Sequence, residues 1–181
     1  MRRLLAVITL VLGILVGSAA GPATAAQPDQ ATPAATSRAR PVLGDQVNYI
    51  SESGTEVGQL RVVEMVRPWD EFGTYYEPDS GTEYVAFVIE VTHLGTRGDL
   101  IVRADDFRLQ DADGFLYSRA WVDARGGADL MPSDPEIGIA PGDTAEVIVV
   151  YQVLTGVDLS TVFWQPDYQR LITLADLTVE P

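Results

Sequence analysis

Apolar and polar residues alternate with a period of two along much of this chain, most clearly in Thr82–His93, TEYVAFVIEVTH. Val85, Phe87, Ile89 and Val91 fall on one side of an extended strand, and Tyr84, Ala86, Val88, Glu90 and Thr92 on the other. A side that apolar must be buried. The opposite side is only half polar, which predicts a central strand with a neighbour on each flank. Thr144–Val153 follows the same rule, with Ala145, Val147, Val149 and Tyr151 alternating against Glu146, Ile148, Val150 and Gln152. A run apolar on both sides predicts an inner strand with both faces at least partly covered.

Shorter runs complete the pattern. Gln46–Ile50 reads as a first strand closed by the turn residues Ser51–Gly54, and Leu60–Val66 as a second that Pro68 prevents from continuing. The two faces of that second strand (Leu60, Val62 and Val66 against Val63 and Met65) are almost equally apolar, so alternation leaves its inward side open. Asp105–Tyr117 reads as a hairpin. Phe107 and Leu109 alternate on its first arm, and Phe115 with Tyr117, or Leu116 with Ser118, on its second. Asp113-Gly114 marks the tight turn, which would need positive φ at both central positions. Val162–Trp164, ended by Pro166, and Arg170–Val179 are the last strands. About seven to nine short strands result, with no helical periodicity beyond one or two turns after the N-terminal segment. Turn signals at this spacing predict an all-β sandwich. Two connections are long, Arg67–Gly81 and Trp121–Ala140.

The N-terminus breaks the pattern. Arg2 and Arg3 precede the apolar run Leu4–Val16, small residues follow to Ala26, and Ala23-Thr24-Ala25 supplies an A-x-A site. This is the layout of a secretory signal peptide over residues 1–26. The run is shorter than the ~20 residues of a membrane-spanning helix; extended to Ala20 it would make a short uncleaved anchor. Residues 27–41, QPDQATPAATSRARP, have linker composition, too poor in large apolar groups to order themselves. The folded domain is therefore expected over 42–181, in a secreted, extracytoplasmic setting with no stable membrane insertion once the leader is removed.

Charge and composition remove several classes of function. Twelve arginines and no lysine stand against 26 carboxylates, a formal net charge of −14. Such a chain repels a phosphate backbone, which excludes nucleic acid as a partner, and anionic membrane surfaces are disfavoured for the same reason. Cysteine is absent, and with it disulfides, thiol nucleophiles, thiolate metal sites and a lipid anchor. His93 is the single histidine, which leaves no second imidazole for a metal site and reads as a strand-end residue. Neither G-x-S-x-G, H-E-x-x-H nor a glycine-rich phosphate loop occurs. Only a carboxylate-pair hydrolase would remain chemically open, and acids this abundant make any pairing in the sequence uninformative.

Two groups of residues carry candidate chemistry. Trp69, Phe72, Tyr75 and Tyr76 lie among Asp70, Glu71, Glu77 and Asp79 in the first long connection. Exposed aromatics with acids make a contact surface for a protein or glycan; the competing structural reading folds two or three of the rings back as a lid on the core. Asp105, Asp106, Asp111 and Asp113 are hard oxygen ligands within nine positions and suggest calcium, with Asp129, Asp134 and Glu136 as further acids. An EF-hand loop would need acids where Leu109 and Ala120 stand, so a turn is the better reading of the motif. Arg97-Gly98-Asp99 spells an adhesive tripeptide but is ordinary turn chemistry.

The succession of motifs is familiar as a whole. It runs from GQLRVV at Gly58, through GTEYVAFVIEV at Gly81 and DFRLQDADG at Asp106, to IAPGD at Ile139. It resembles a widespread family of exported bacterial domains of unknown function, related in fold to small secreted mycobacterial antigens. The resemblance spans about residues 42–180 and implies an immunoglobulin-like antiparallel β-sandwich. The family supplies no catalytic residues, and this chain departs from its many lipoproteins in lacking the cysteine. The resulting expectation is a secreted, non-catalytic binding or interaction module without a required cofactor. A calcium-stabilised structural module of the cell envelope is the alternative.

Overall fold

The computed structural model describes residues 40–122, 136–167 and 170–179. The segments read as leader and linker therefore lie outside the described residues up to residue 39, as do Asp129 and Asp134. Ten strands are present among the described residues: β1 (Val47–Ile50), β2 (Glu56–Val66), β3 (Thr82–His93), β4 (Leu100–Arg103), β5 (Phe107–Asp111), β6 (Leu116–Tyr117), β7 (Glu136–Ile139), β8 (Thr144–Leu154), β9 (Leu159–Asp167) and β10 (Arg170–Asp176). The only helical element among them is one 3-10 turn, Ala104–Asp106. No described helix is long and apolar enough to cross a membrane.

The strands form two four-stranded antiparallel sheets, β1-β2-β3-β8 and β10-β9-β5-β6, with β4-β7 as a separate two-stranded ladder. The core lies between the two large sheets. Val85, Phe87, Ile89 and Val91 of β3 are fully buried there with Val147, Val149 and Tyr151 of β8. Phe107 and Leu109 of β5 and Val162 and Trp164 of β9 meet them from the opposing sheet. Alternation thus names the inward face of β3 correctly, and β3 is central, paired with β2 on one side and β8 on the other.

Four expectations are corrected. The strand count exceeds seven to nine because the β4–β7 ladder was not read: Leu100, Ile101 and Val102 are apolar in succession without alternation, and Glu136–Ile139 falls inside the long connection 121–140. β8 is not an inner strand but the edge of its sheet. It is apolar on both sides because its outer face is also covered, with Val150 buried and Ile148 packed in a second apolar cluster around Trp69, Tyr84 and Ala86. The segment after β6 covers part of its lateral edge, through an Arg119–Tyr151 bridge and a hydrogen bond from Ala120 N to Val150 O at 2.7 Å. β9 runs past Pro166; the missing N–H costs no ladder bond to β5, whose pairing with β9 already ends at Phe107 opposite Trp164. The 111–114 turn differs from the tight form read from Asp113-Gly114. Gly114 N donates to Asp111 O at 3.1 Å, so Ala112 and Asp113 are the central residues and Gly114, at φ +90°, follows them.

The ambiguous strand β2 is explained by a bulge. Its register against β3 slips between Val62, opposite Ile89, and Glu64, opposite Val88. Before the slip Leu60 and Val62 point into the core; after it Met65 pairs with inward-facing Phe87, and Val66 with outward-facing Ala86. One extra residue therefore exchanges the faces partway along the strand.

Candidate functional site

The connections β2–β3, β5–β6 and β8–β9 and the segment following β10 gather at one end of the sandwich. Hydrogen bonds knit them together. Arg67, just beyond β2, donates from Nε and Nη2 to Glu83 Oε1 at 3.0 and 2.7 Å and from Nη1 to Val157 O at 2.7 Å. Glu83 Oε1 also accepts from Gly156 N at 3.0 Å. The Arg67 guanidinium, with the Gly156 amide, holds the Glu83 carboxyl below the usual carboxylate range against a smaller opposing effect of burial. Ala112 N donates to Asp158 O at 2.8 Å, and Leu177 N to Ser160 O at 2.8 Å. Ser160 Oγ reaches back to Asp111 O at 2.9 Å.

A cleft of about 460 Å³ lies among these loops. Met65, Leu159 and Leu177 give it an apolar wall; Arg67, Asp158 and Thr178 are its polar members, and Ala112 stands at its side. Met65 is 37% exposed, and the bulge in β2 is what turns it to this side. The volume falls within the ~300–1,000 Å³ of small-molecule sites, and the mixture of apolar wall and few polar groups is typical of them. A second groove, of about 560 Å³, follows β1 and is lined by Pro41, Asp45, Gln46, Val47, Asn48, Ile50 and Thr173.

The aromatic connection divides. Trp69 is 5% exposed, its backbone amide donates to Tyr84 O at 2.8 Å, and its ring meets Tyr84 and Phe72 at centroid distances of 6.2 Å each. Phe72 is half-buried and packs edge-on against Tyr84 at 5.4 Å. These two rings roof the outer face of β3 and β8. Tyr76 is half-buried, and Tyr75 is 97% exposed. Of the four rings, only Tyr75 is presented in full.

The four aspartates read as calcium ligands have separate tasks. Asp105 accepts from Arg119 Nε at 2.7 Å, beneath an Arg119–Trp121 stack at 3.6 Å. Asp106 is half-buried, and burial raises its carboxyl above the ordinary value despite Arg103 and Arg108 nearby. Asp111 is 3% exposed and accepts from Tyr117 Oη at 2.8 Å and Phe115 N at 2.9 Å. Burial pushes its carboxyl up, but Tyr117 and the turn amides outweigh that and hold it below the usual range. Asp113 is exposed on the turn. They are scattered because Asp105 and Asp106 sit in the 3-10 turn before β5, Asp111 is the last, inward-facing residue of β5, and Asp113 lies in the turn after it. Glu136 pairs with Arg103 at 2.8 Å. Among the described residues no three His, Cys, Asp or Glu side chains converge to hold a metal ion.

His93 is 4% exposed, with Nδ1 bonded to Ile139 O at 2.9 Å. Sequence reasoning did not find the cleft. Its residues come from four separated loops and from a phase slip in β2, and the one local signal was the near-equal apolarity of the two β2 faces.

No protein-family model matches the chain, and no curated protein is similar to it in sequence. Solved structures do resemble it. MPT63, a secreted protein of Mycobacterium tuberculosis, is 18% identical over 77% of this chain and 99% of its own, with a TM-score of 0.49. YcdA of Bacillus subtilis is 14% identical over 68% of this chain and 38% of its own, with a TM-score of 0.51. An uncharacterised β-sandwich protein of Clostridium difficile is 12% identical over 73% of this chain and 89% of its own, with a TM-score of 0.42. Of these three, YcdA has a TM-score above 0.5, and that likeness agrees with the two-sheet antiparallel fold. At such identities the likeness concerns fold alone.

Proposed function

We propose that this protein is an extracytoplasmic, non-catalytic binding module that takes a small ligand in the cleft at the loop end of its sandwich. The observation that carries the reading is the cleft itself, about 460 Å³ with walls cross-tied by Arg67, Glu83 and the Gly156–Asp158 backbone. A site whose walls are already fixed loses little entropy when a ligand arrives. The leader-like residues 1–26 support the location, and the absence of a nucleophile–base motif supports a role without catalysis. Tyr75 offers a separate contact for a protein or glycan partner.

Ala112 is exposed, so Ala112→Trp fills the cleft without entering the core. A thermal-shift screen of a few hundred fragments is expected to give compounds that raise the unfolding midpoint of the wild type and lose the effect in Ala112→Trp. Fragments that stabilise both proteins equally, or none that stabilises the wild type, would sink the reading. Recovery of the exported protein with Ala26 or Gln27 at its N-terminus would support the location, and retention of an intact leader in the cytoplasm would remove it.

A further inference from the structure

The polar groups lining this cleft can be accounted for one by one. Each of the three Arg67 guanidinium nitrogens already donates, two to Glu83 and one to Val157 O, and the Arg67–Glu83 pair is neutral as a unit. The Thr178 hydroxyl donates to Asp176 Oδ1 at 2.6 Å. The Ala112 and Leu177 amides are taken up by Asp158 O and Ser160 O. The Asp158 carboxylate is different: it is exposed on the lining and accepts no hydrogen bond or ion pair from the described residues. Other carboxylates bordering the same loops, Asp111 and Asp176, are held in their charged form, in a chain of net charge −14.

Resting on the reading of the cleft as a ligand site, we infer that its ligand is an organic cation: an amine on an apolar body. The ammonium meets Asp158, and the body lies against Met65, Leu159 and Leu177. An anion of the same shape would bring a second negative charge to a carboxylate with no cation to spare, because Arg67 is held by Glu83. A neutral ligand would leave Asp158 solvated and gain only the apolar wall. The local and overall negative charge also raises the concentration of cations at the mouth.

The test uses three probes with one apolar body: hexylamine, hexanol and hexanoate. The chain has three methionines, Met1, Met65 and Met131, so a methyl-labelled methionine spectrum of the purified protein gives a direct reporter in the cleft, assigned with Met65→Leu. Hexylamine is expected to move the Met65 signal with half-saturation about two- to fivefold tighter than hexanol, the range of an exposed ion pair. Hexanoate should be weakest, and salt near ~0.5 M should erase most of the amine's advantage. Asp158→Asn, a substitution at an exposed turn residue, is expected to bring hexylamine to the level of hexanol and leave hexanol unchanged. Equal binding of amine and alcohol, or no effect of Asp158→Asn, would overturn the cationic assignment while leaving the cleft a ligand site. A Met65 signal that none of the probes moves would overturn both.

Discussion

Tyr151→Phe is expected to stabilise the protein. Tyr151 is fully buried on β8, its ring packs edge-on against Phe87 at 5.9 Å, and its hydroxyl has no hydrogen-bond partner among the described residues. Burial raises its pKa far above that of an ordinary phenol, so the group is a neutral, unsatisfied O–H. An unsatisfied buried polar group costs about 1–3 kcal/mol. Phenylalanine keeps the ring and its contacts and leaves at most an oxygen-sized void. At about 24 cal/mol per Å³, a void of about 10 Å³ costs roughly 0.2 kcal/mol. The net gain is therefore about 1–2.5 kcal/mol, which at ~2–4 °C per kcal/mol raises the midpoint by roughly 2–10 °C. Urea unfolding at pH 7, followed by tryptophan fluorescence, measures the free energy, and calorimetry measures the midpoint. A Tyr151→Phe protein less stable than the wild type by ~1 kcal/mol would refute the reasoning, since a lost hydrogen bond is worth about that much.

The same change at Tyr117 should act in the opposite direction, because its hydroxyl holds the buried Asp111 carboxylate. Asp111, Glu83 and Asp176 all have carboxyls held below their ordinary values, so their stabilisation is complete above about pH 5 and is lost as acid protonates them in the folded state. The unfolding midpoint should fall steeply below that pH, earlier in Tyr117→Phe, and a midpoint flat to pH 2 would contradict the assignment. Trp69→Ala should cost about 3–5 kcal/mol in chemical unfolding, whereas Tyr75→Ala should stay within about 0.5 kcal/mol; similar losses at both would mean that the connection does not divide as described. Gly95→Ala should destabilise by about 1–3 kcal/mol through overpacking, because its Cβ would drive into the His93 ring that Ile139 O holds in place. An undiminished midpoint would show that the ring can yield. Replacing millimolar calcium by a chelator should leave the midpoint unchanged, and a shift of several degrees would mean that the aspartates do bind metal.

How much was legible in the sequence depended on whether information was local. Val85, Phe87, Ile89 and Val91 announce the core face of β3 because alternation is a property of neighbouring residues. The β-class followed for the same reason. Alternation cannot distinguish a lateral neighbour from a covering one, and Val150 beneath the aromatic roof made the edge strand β8 look interior. The rings of Trp69 and Phe72 were equally compatible with a roof and with a contact surface, since both uses favour large aromatics. Their burial is settled by Tyr84, on the strand that follows the connection. The acidic run 105–113 was misleading as a cluster, because the extended strand β5 holds Asp105 and Asp106 at its start apart from Asp111 and Asp113 at its end. The cleft was out of reach altogether, being assembled from residues between Met65 and Thr178.

The bulge in β2 makes the strand a text written in two reading frames. Deleting Val63 would change the composition by one valine, yet it would restore a single frame from Glu56 onward. Met65 would keep its side, because Glu64 would still lie opposite Val88 and Met65 opposite Phe87. The extra residue is thus a spare letter, and its loss shortens the strand by one position without changing which side chain reaches the cleft. Chains that differ by one residue at this position would share the same cleft wall, whereas chains that differ at Met65 itself would not.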